Sequence, residues 1–126
     1  MKKVFRTLIA GQILAVSVAH AGPDIDYLHN LQQQGIQPDP AAGRQLWYAQ
    51  QGDRSCISCH GSDPGGMGKH IKTGKAIEPM AVSVNPERYR KSHKIDKWFL
   101  RNCKWTLGRT CSDQEKADIL SWLQRQ

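Results

Sequence analysis

Cys56-Ile57-Ser58-Cys59-His60 is the stretch on which the reading of this chain turns. Two thiols three positions apart, with an imidazole next in line, form the pattern of a c-type haem attachment site. Each residue type has a task there. The thiols add across the vinyl groups of the porphyrin, and a histidine held by the same turn lies under the iron as proximal ligand. On this reading Cys56 and Cys59 hold one covalent haem c and His60 ligates its iron. The same residues also admit a zinc knuckle or a redox thiol pair. Zinc wants a second closely spaced ligand pair, whereas the remaining cysteines, Cys103 and Cys111, lie eight apart. A redox pair has no need of the histidine.

Outward from this centre, the first 21 residues read as a cleaved signal peptide. Lys2, Lys3 and Arg6 make a basic start, Leu8 to Val18 a short apolar core, and Ala19-His20-Ala21 a small-x-small cleavage pattern. The apolar run is too short to span a membrane, so no stable membrane insertion is expected. Cleavage after Ala21 leaves residues 22–126 as a single domain, exported and, in a bacterium, periplasmic. A chain of that length buries a modest core, and a haem is a large apolar body around which to complete it.

Charge is unevenly spread. From Lys69 to Lys104 there are ten basic residues and three acids, while the whole chain has a formal net charge of +7. Such a stretch is either a solvated face or a basic rim that steers an acidic partner to the haem edge. Nucleic acid is not an expected partner for an exported haem protein.

The chain between these landmarks reads as helices joined by long loops. Ile25, Leu28 and Leu31 make a weak helical stripe, ended by Gly35. Asp39-Pro40 is an N-cap carboxylate followed by proline at the first helical position. Gly43, Leu46 and Trp47 then share a face on which glycine permits close helix contact, and Gly52 is expected to end this helix. Residues 61–68 hold four glycines and a proline, which predicts loop. Asn85-Pro86 predicts a further cap and helix start. Ser112 and Glu115 make a capping box for a last helix with Ile119, Leu120, Trp122 and Leu123 on its apolar face. Trp122 is expected to lie over Gly43.

The clearest periodicity runs from Lys94 to Cys103. Ile95, Trp98, Phe99 and Asn102 stand at i, i+3, i+4 and i+7, with Lys94, Lys97 and Arg101 opposite. Asn102 thus continues an apolar stripe, where an unmet amide costs about 1–3 kcal/mol. It either caps the helix C-terminus or meets the iron. Cys103 and Cys111 read as a structural disulfide in an oxidising compartment, pinning the residue before Cys103. Other candidates for a sixth iron ligand are Met67, His70 and Met80, and His93 and Arg101 are placed to approach a distal site.

A helix with a glycine–aromatic face, then Cys-x-x-Cys-His, loops and a capped last helix resembles the class I cytochrome c fold, all-α around one covalent haem. Lys72-Thr73-Gly74-Lys75-Ala76-Ile77-Glu78-Pro79-Met80, Asn85-Pro86-Glu87-Arg88-Tyr89, Lys97-Trp98, Arg101-Asn102-Cys103, Gly108-Arg109-Thr110-Cys111 and Glu115-Lys116-Ala117-Asp118 further resemble the sphaeroides haem protein (SHP) family. The resemblance covers about Ala41 to Gln126, and Gly22 to Pro38 matches poorly. It implies that His60 is the proximal ligand, that Asn102 is the sixth ligand, and that Cys103 pairs with Cys111. It implies too that Asn102 leaves on reduction, so that dioxygen, nitric oxide or carbon monoxide binds. A dihaem cytochrome c and a membrane cytochrome b are the implied electron donors. Two other functions fit the same residues: a plain electron carrier with a Met sixth ligand, and an enzyme turning over dioxygen, nitric oxide or peroxide.

Overall fold

The structure is a computed structural model that describes residues 25–126; the expected signal segment, residues 1–21, lies outside the described residues. Five helices and one minimal ladder follow in order: α1 (Ile25–Gln33), α2 (Pro40–Tyr48), α3 (Ile57–His60), β1 (Gly68–Lys69), β2 (Ala76–Ile77), α4 (Ser92–Leu107) and α5 (Asp113–Leu123). The architecture is all-helical, and among the described residues no helix is long and apolar enough to cross a membrane.

The core is built on α5. Every residue from Ala117 to Leu123 is buried, which marks a helix covered on all sides rather than an amphipathic surface element. Its start follows from Ser112, whose hydroxyl accepts from the Glu115 N–H at 3.2 Å while the Glu115 carboxylate accepts from the Ser112 N–H at 2.8 Å. α2 opens as its sequence suggests, with the Asp39 carboxylate accepting from the Ala41 and Ala42 N–H groups. The buried Asp118 carboxylate in turn accepts from the Asp39 N–H at 2.7 Å and from the Gln114 amide at 2.7 Å, tying the start of α2 to α5.

Gly43 is where those two helices meet. A Cβ there would stand 2.0 Å from the Asp118 carbonyl oxygen and 2.8 Å from the Ile119 nitrogen, so only glycine lets the backbones cross this closely. The backbone of α5, at Asp118 and Ile119, is thus what meets Gly43 most closely. Trp122 packs instead on the ring of Trp47 (5.5 Å between centroids) and edge-on to Tyr48 (5.9 Å). α1 adds Tyr27 and Leu31 to the core, and the Tyr27 hydroxyl donates to Asp96 of α4.

Four local expectations are revised. α2 ends at Tyr48 with Ala49 already extended, and Gly52 sits beyond it in a tight turn closed between Gln51 and Arg54. Asn85-Pro86 starts no helix; the Asn85 amide donates backward to the Pro79 carbonyl (3.3 Å), and its side chain caps no following N–H among the described residues. The chain there makes a single turn, and Tyr89 is drawn to the Met80 carbonyl at 2.8 Å. The glycine-rich loop carries an antiparallel pairing, Gly68 with Ile77 and Lys69 with Ala76, too short to show as periodicity. α4 begins at Ser92 and runs past Cys103 to Leu107, where Gly108 (φ +70°) closes it in the left-handed conformation.

The length of α4 matters most for function. Asn102 lies in its interior, more than a turn before Gly108, so it does not cap the C-terminus. Protein buries only part of the stripe it continues. Ile95 is buried and Phe99 half-buried, but Trp98 is 51% exposed and Asn102 is exposed. A disulfide joins Cys103 to Cys111, with 5.6 Å between the Cα atoms, and fastens this part of α4 to the residue before the Ser112 cap.

Candidate haem site

The four-residue α3 is a single turn, held by the His60 N–H donating to the Cys56 carbonyl (3.1 Å) and Gly61 N–H to Ile57 (3.0 Å). Ahead of it the buried Ser55 N–H donates to the Ser58 hydroxyl at 3.0 Å, which fixes the entry. One turn thus brings the two thiols and the imidazole together, as the spacing predicts. Both cysteines are free and half-buried. Burial pushes the Cys56 thiol up to about 11, so it stays protonated at neutral pH.

The His60 imidazole is held neutral. Burial, with the positive charge of Arg88 as a second cause, lowers its pKa to about 4. Its ring lies 5.1 Å from that of Trp47, tilted by 33°. Among the described residues its buried Nδ1 has no hydrogen-bond partner, nor has Nε1 of Trp47. The carbonyl of Pro64, four residues on, is occupied by two backbone donors, Met80 N–H at 2.8 Å and Ala81 N–H at 2.9 Å. On the other side, Gly68 passes so close that a Cβ would stand 2.4 Å from the Cys59 carbonyl oxygen. The hairpin can lie against the thiol-bearing turn only because that position is glycine.

The other sequence candidates fall in different settings. The Asn102 side chain makes no hydrogen bond among the described residues and shares the open face of α4 with Trp98, one turn earlier. Arg101 stacks over the Trp98 ring at 5.1 Å. Met80 is half-buried, and its sulfur accepts from Arg88 at 2.9 Å. Met67 is 62% exposed. The Nδ1 atom of His70 accepts from the Lys72 and Thr73 N–H groups and closes the hairpin turn. His93 is exposed in the first turn of α4.

These residues fit a covalent haem. Two free thiols one turn apart, an imidazole kept neutral and an exposed tryptophan–asparagine face are what an apolar, iron-bearing ring needs from its protein. The zinc alternative does not fit, since no group of three or more His, Cys, Asp or Glu among the described residues could hold a metal ion. Sequence reasoning missed the contact of Trp47 with His60 and the pairing of Arg88 with Met80. Neither carries a periodic signal, because each joins segments with no common register.

Fold and site together define a small helical c-type cytochrome carrying one covalently attached haem. A family model described as a domain of unknown function (DUF1924) matches residues 33–123. The cytochrome c-type protein SHP of Cereibacter sphaeroides is 41% identical over 97 residues, 73% of this chain and 74% of that protein. The chain belongs to the SHP family of monohaem cytochromes. The structure of oxidised SHP, described as an oxygen-binding cytochrome c, is similar with a TM-score of 0.75 and 36% identity, covering 81% of this chain and 96% of that one. The solution structure of cytochrome c'' from Methylophilus methylotrophus, described in connection with haem-ligand detachment, is similar with a TM-score of 0.68 and 27% identity, covering 82% and 96%.

Proposed function

We propose that the chain is exported to the periplasm with loss of residues 1–21 and works there as a redox-gated, gas-binding cytochrome. Cys56 and Cys59 would hold the haem, His60 would be its proximal ligand, and Asn102 would be a second, weaker ligand that yields to a small diatomic such as dioxygen or nitric oxide on reduction. The haem, when bound, would supply a one-electron couple and an iron able to take a small neutral ligand.

One observation carries this reading: Asn102 is an unpartnered carboxamide in mid-helix, on an exposed face with Trp98, held from behind by the Cys103–Cys111 bridge. An amide oxygen is a hard, neutral, weak donor, better matched to ferric than to ferrous iron. Asn102 would therefore suit the oxidised iron and yield on reduction. A thioether is soft and holds on in both states. Here the sulfur of Met80 already accepts from Arg88, which counts against the electron-carrier alternative. The oxygen binding described for SHP and the ligand detachment described for cytochrome c'' support the same reading.

Electrons reach the haem from a dihaem cytochrome c and a membrane cytochrome b, with the basic residues of the 69–104 stretch steering an acidic donor surface. Oxidised and reduced absorption spectra of wild type and Asn102→Ala test the proposal. The substitution changes the oxidised spectrum and leaves the reduced one nearly unaltered, and carbon monoxide binds both reduced proteins. An oxidised spectrum untouched by Asn102→Ala, with a methionine–ferric charge-transfer band abolished by Met80→Ala, refutes it.

A further inference from the structure

The segment leading into the thiol-bearing turn also reaches α4, through Arg54. This residue is half-buried, and its backbone is fixed from both sides. Before it, the Gln51 N–H donates to the Arg54 carbonyl at 2.7 Å and the Arg54 N–H to the Gln51 carbonyl at 3.2 Å. After it, the N–H of the buried Ser55 donates to the Ser58 hydroxyl inside α3. From this base the guanidinium lies over the Trp105 ring at 5.0 Å, while one of its nitrogens donates to the Trp105 carbonyl at 3.0 Å. Its ion pair with the exposed Asp53, at 3.7 Å, adds little.

Both contacts suit the end of a helix. Trp105 is in the last turn of α4, where a carbonyl has no N–H four residues on within the helix to accept from. A cation placed there also meets the negative end of the helix dipole. A guanidinium can stack by its face and donate by its edge at the same time, which an ammonium cannot. Two residues earlier the Cys103–Cys111 bridge ties the same stretch of α4 to the start of α5. Side chains two positions apart project about 200° apart around a helix, so the two ties together oppose rolling as well as sliding. Asn102 lies beside them, one residue before Cys103 and one turn before Trp105, on the Trp105 side.

We propose that Arg54 is a positioning residue that couples the thiol-bearing turn to α4: stacked on Trp105 and bonded to its carbonyl, it sets the roll of the helix at Asn102. With Arg54 removed the bridge remains, and rolling is opposed from one side only. The consequence for function, a carboxamide held in place for the oxidised iron, rests on the reading of Asn102 above; the hold on α4 does not.

Hydrogen exchange of the oxidised, haem-loaded protein, followed by mass spectrometry, tests the hold. In Arg54→Met, which keeps an unbranched stem but loses the donor and the charge, the amides of residues 100–108 exchange roughly tenfold faster, while those of Ala117 to Leu123 in α5 keep their wild-type rates. Trp105→Leu removes the stack and leaves the bond to the carbonyl, so the same amides speed up roughly threefold; it also serves if Arg54→Met fails to retain haem. Arg44→Met, which removes a guanidinium stacked on Tyr48 at 5.2 Å, leaves residues 100–108 unchanged. Unchanged exchange in Arg54→Met (or, where that variant loses haem, in Trp105→Leu), an equal rise in α5, or an equal rise in Arg44→Met overturns the proposal. The oxidised absorption spectrum reads the link to the site. Arg54→Met moves it toward that of Asn102→Ala and adds nothing in the Asn102→Ala background. A shift as large in that background overturns the action at Asn102. Failure of the Asn102 reading shows separately, as an oxidised spectrum that Asn102→Ala itself does not alter, with the faster exchange of Arg54→Met still in place.

Discussion

Gly43→Ala sets two effects of known size against each other. Taken alone, alanine in the interior of α2 gains about 1 kcal/mol of helix propensity over glycine. The structure opposes that gain. The new methyl would stand 2.0 Å from the Asp118 carbonyl oxygen and 2.3 Å from its carbonyl carbon. Both are backbone atoms in the buried part of α5 and cannot rotate away, so the helices must part by roughly 1 Å or more. Overpacking of this kind costs about 1–3 kcal/mol and sometimes more. A gap of that width also forfeits a quarter to a half of each dispersion contact across it, including the Trp47–Trp122 pair at 5.5 Å. The net expectation is a loss of about 2–4 kcal/mol, which for a domain of this size lowers Tm by roughly 10–20 °C. Thermal unfolding of the haem-loaded protein followed by far-UV circular dichroism measures it. The same parting shifts Trp47 from His60, 5.1 Å away, so the haem spectrum of the folded variant should also change. A variant as stable as wild type, or more so, would refute the argument that backbone proximity governs this position.

Further outcomes follow from other contacts. Asp118→Ala removes the acceptor of the Asp39 N–H and the Gln114 amide and should cost about 1–3 kcal/mol, read as a lower urea midpoint at unchanged slope. Reduction of the Cys103–Cys111 bridge should cost roughly 2–3 kcal/mol by loop closure and, with Asn102 freed from its anchor, weaken the oxidised-state ligand signature before the protein unfolds. Glu115 is held down to about 2, first by its paired hydrogen bonds with Arg109 and then by those with Ser112, against burial acting the other way. A folded pKa below the unfolded one gives stability that is present above about 4.5 and lost as pH falls toward 2. Arg109→Ala should therefore destabilise the protein at pH 7 and have almost no effect at pH 2, and an equal effect at both would be contrary. Reduction by an acidic electron donor should slow with added salt if the 69–104 stretch steers it, and a salt-independent rate would count against steering.

How far the sequence alone reached depended on the range of the interaction concerned. Cys56, Cys59 and His60 were legible because one turn of backbone supplies their whole geometry. The Asp39 and Ser112 caps were legible for the same reason, each being closed within a few residues. The need for glycine at position 43 could be read as close helix contact, but not what made the contact: Trp122 was the natural guess, and the Asp118 backbone is the fact. The Asn85-Pro86 signal misled because the chain there makes one turn and then extends, with the Asn85 amide donating back to Pro79 and Tyr89 drawn to the Met80 carbonyl.

Tertiary structure alone decided the setting of the site. Periodicity put Asn102 on an apolar stripe but could not say whether protein would cover that stripe, since burial depends on what packs opposite. The run of α4 to Leu107 removed the capping role that a shorter helix would have allowed. Nothing in the spacing of Arg88 and Met80, or of Trp47 and His60, announces that they touch, because each contact depends on how separate segments fold together. Local chemistry named the groups that fit a haem; the packing of α2, α4 and α5 determined which faces they present.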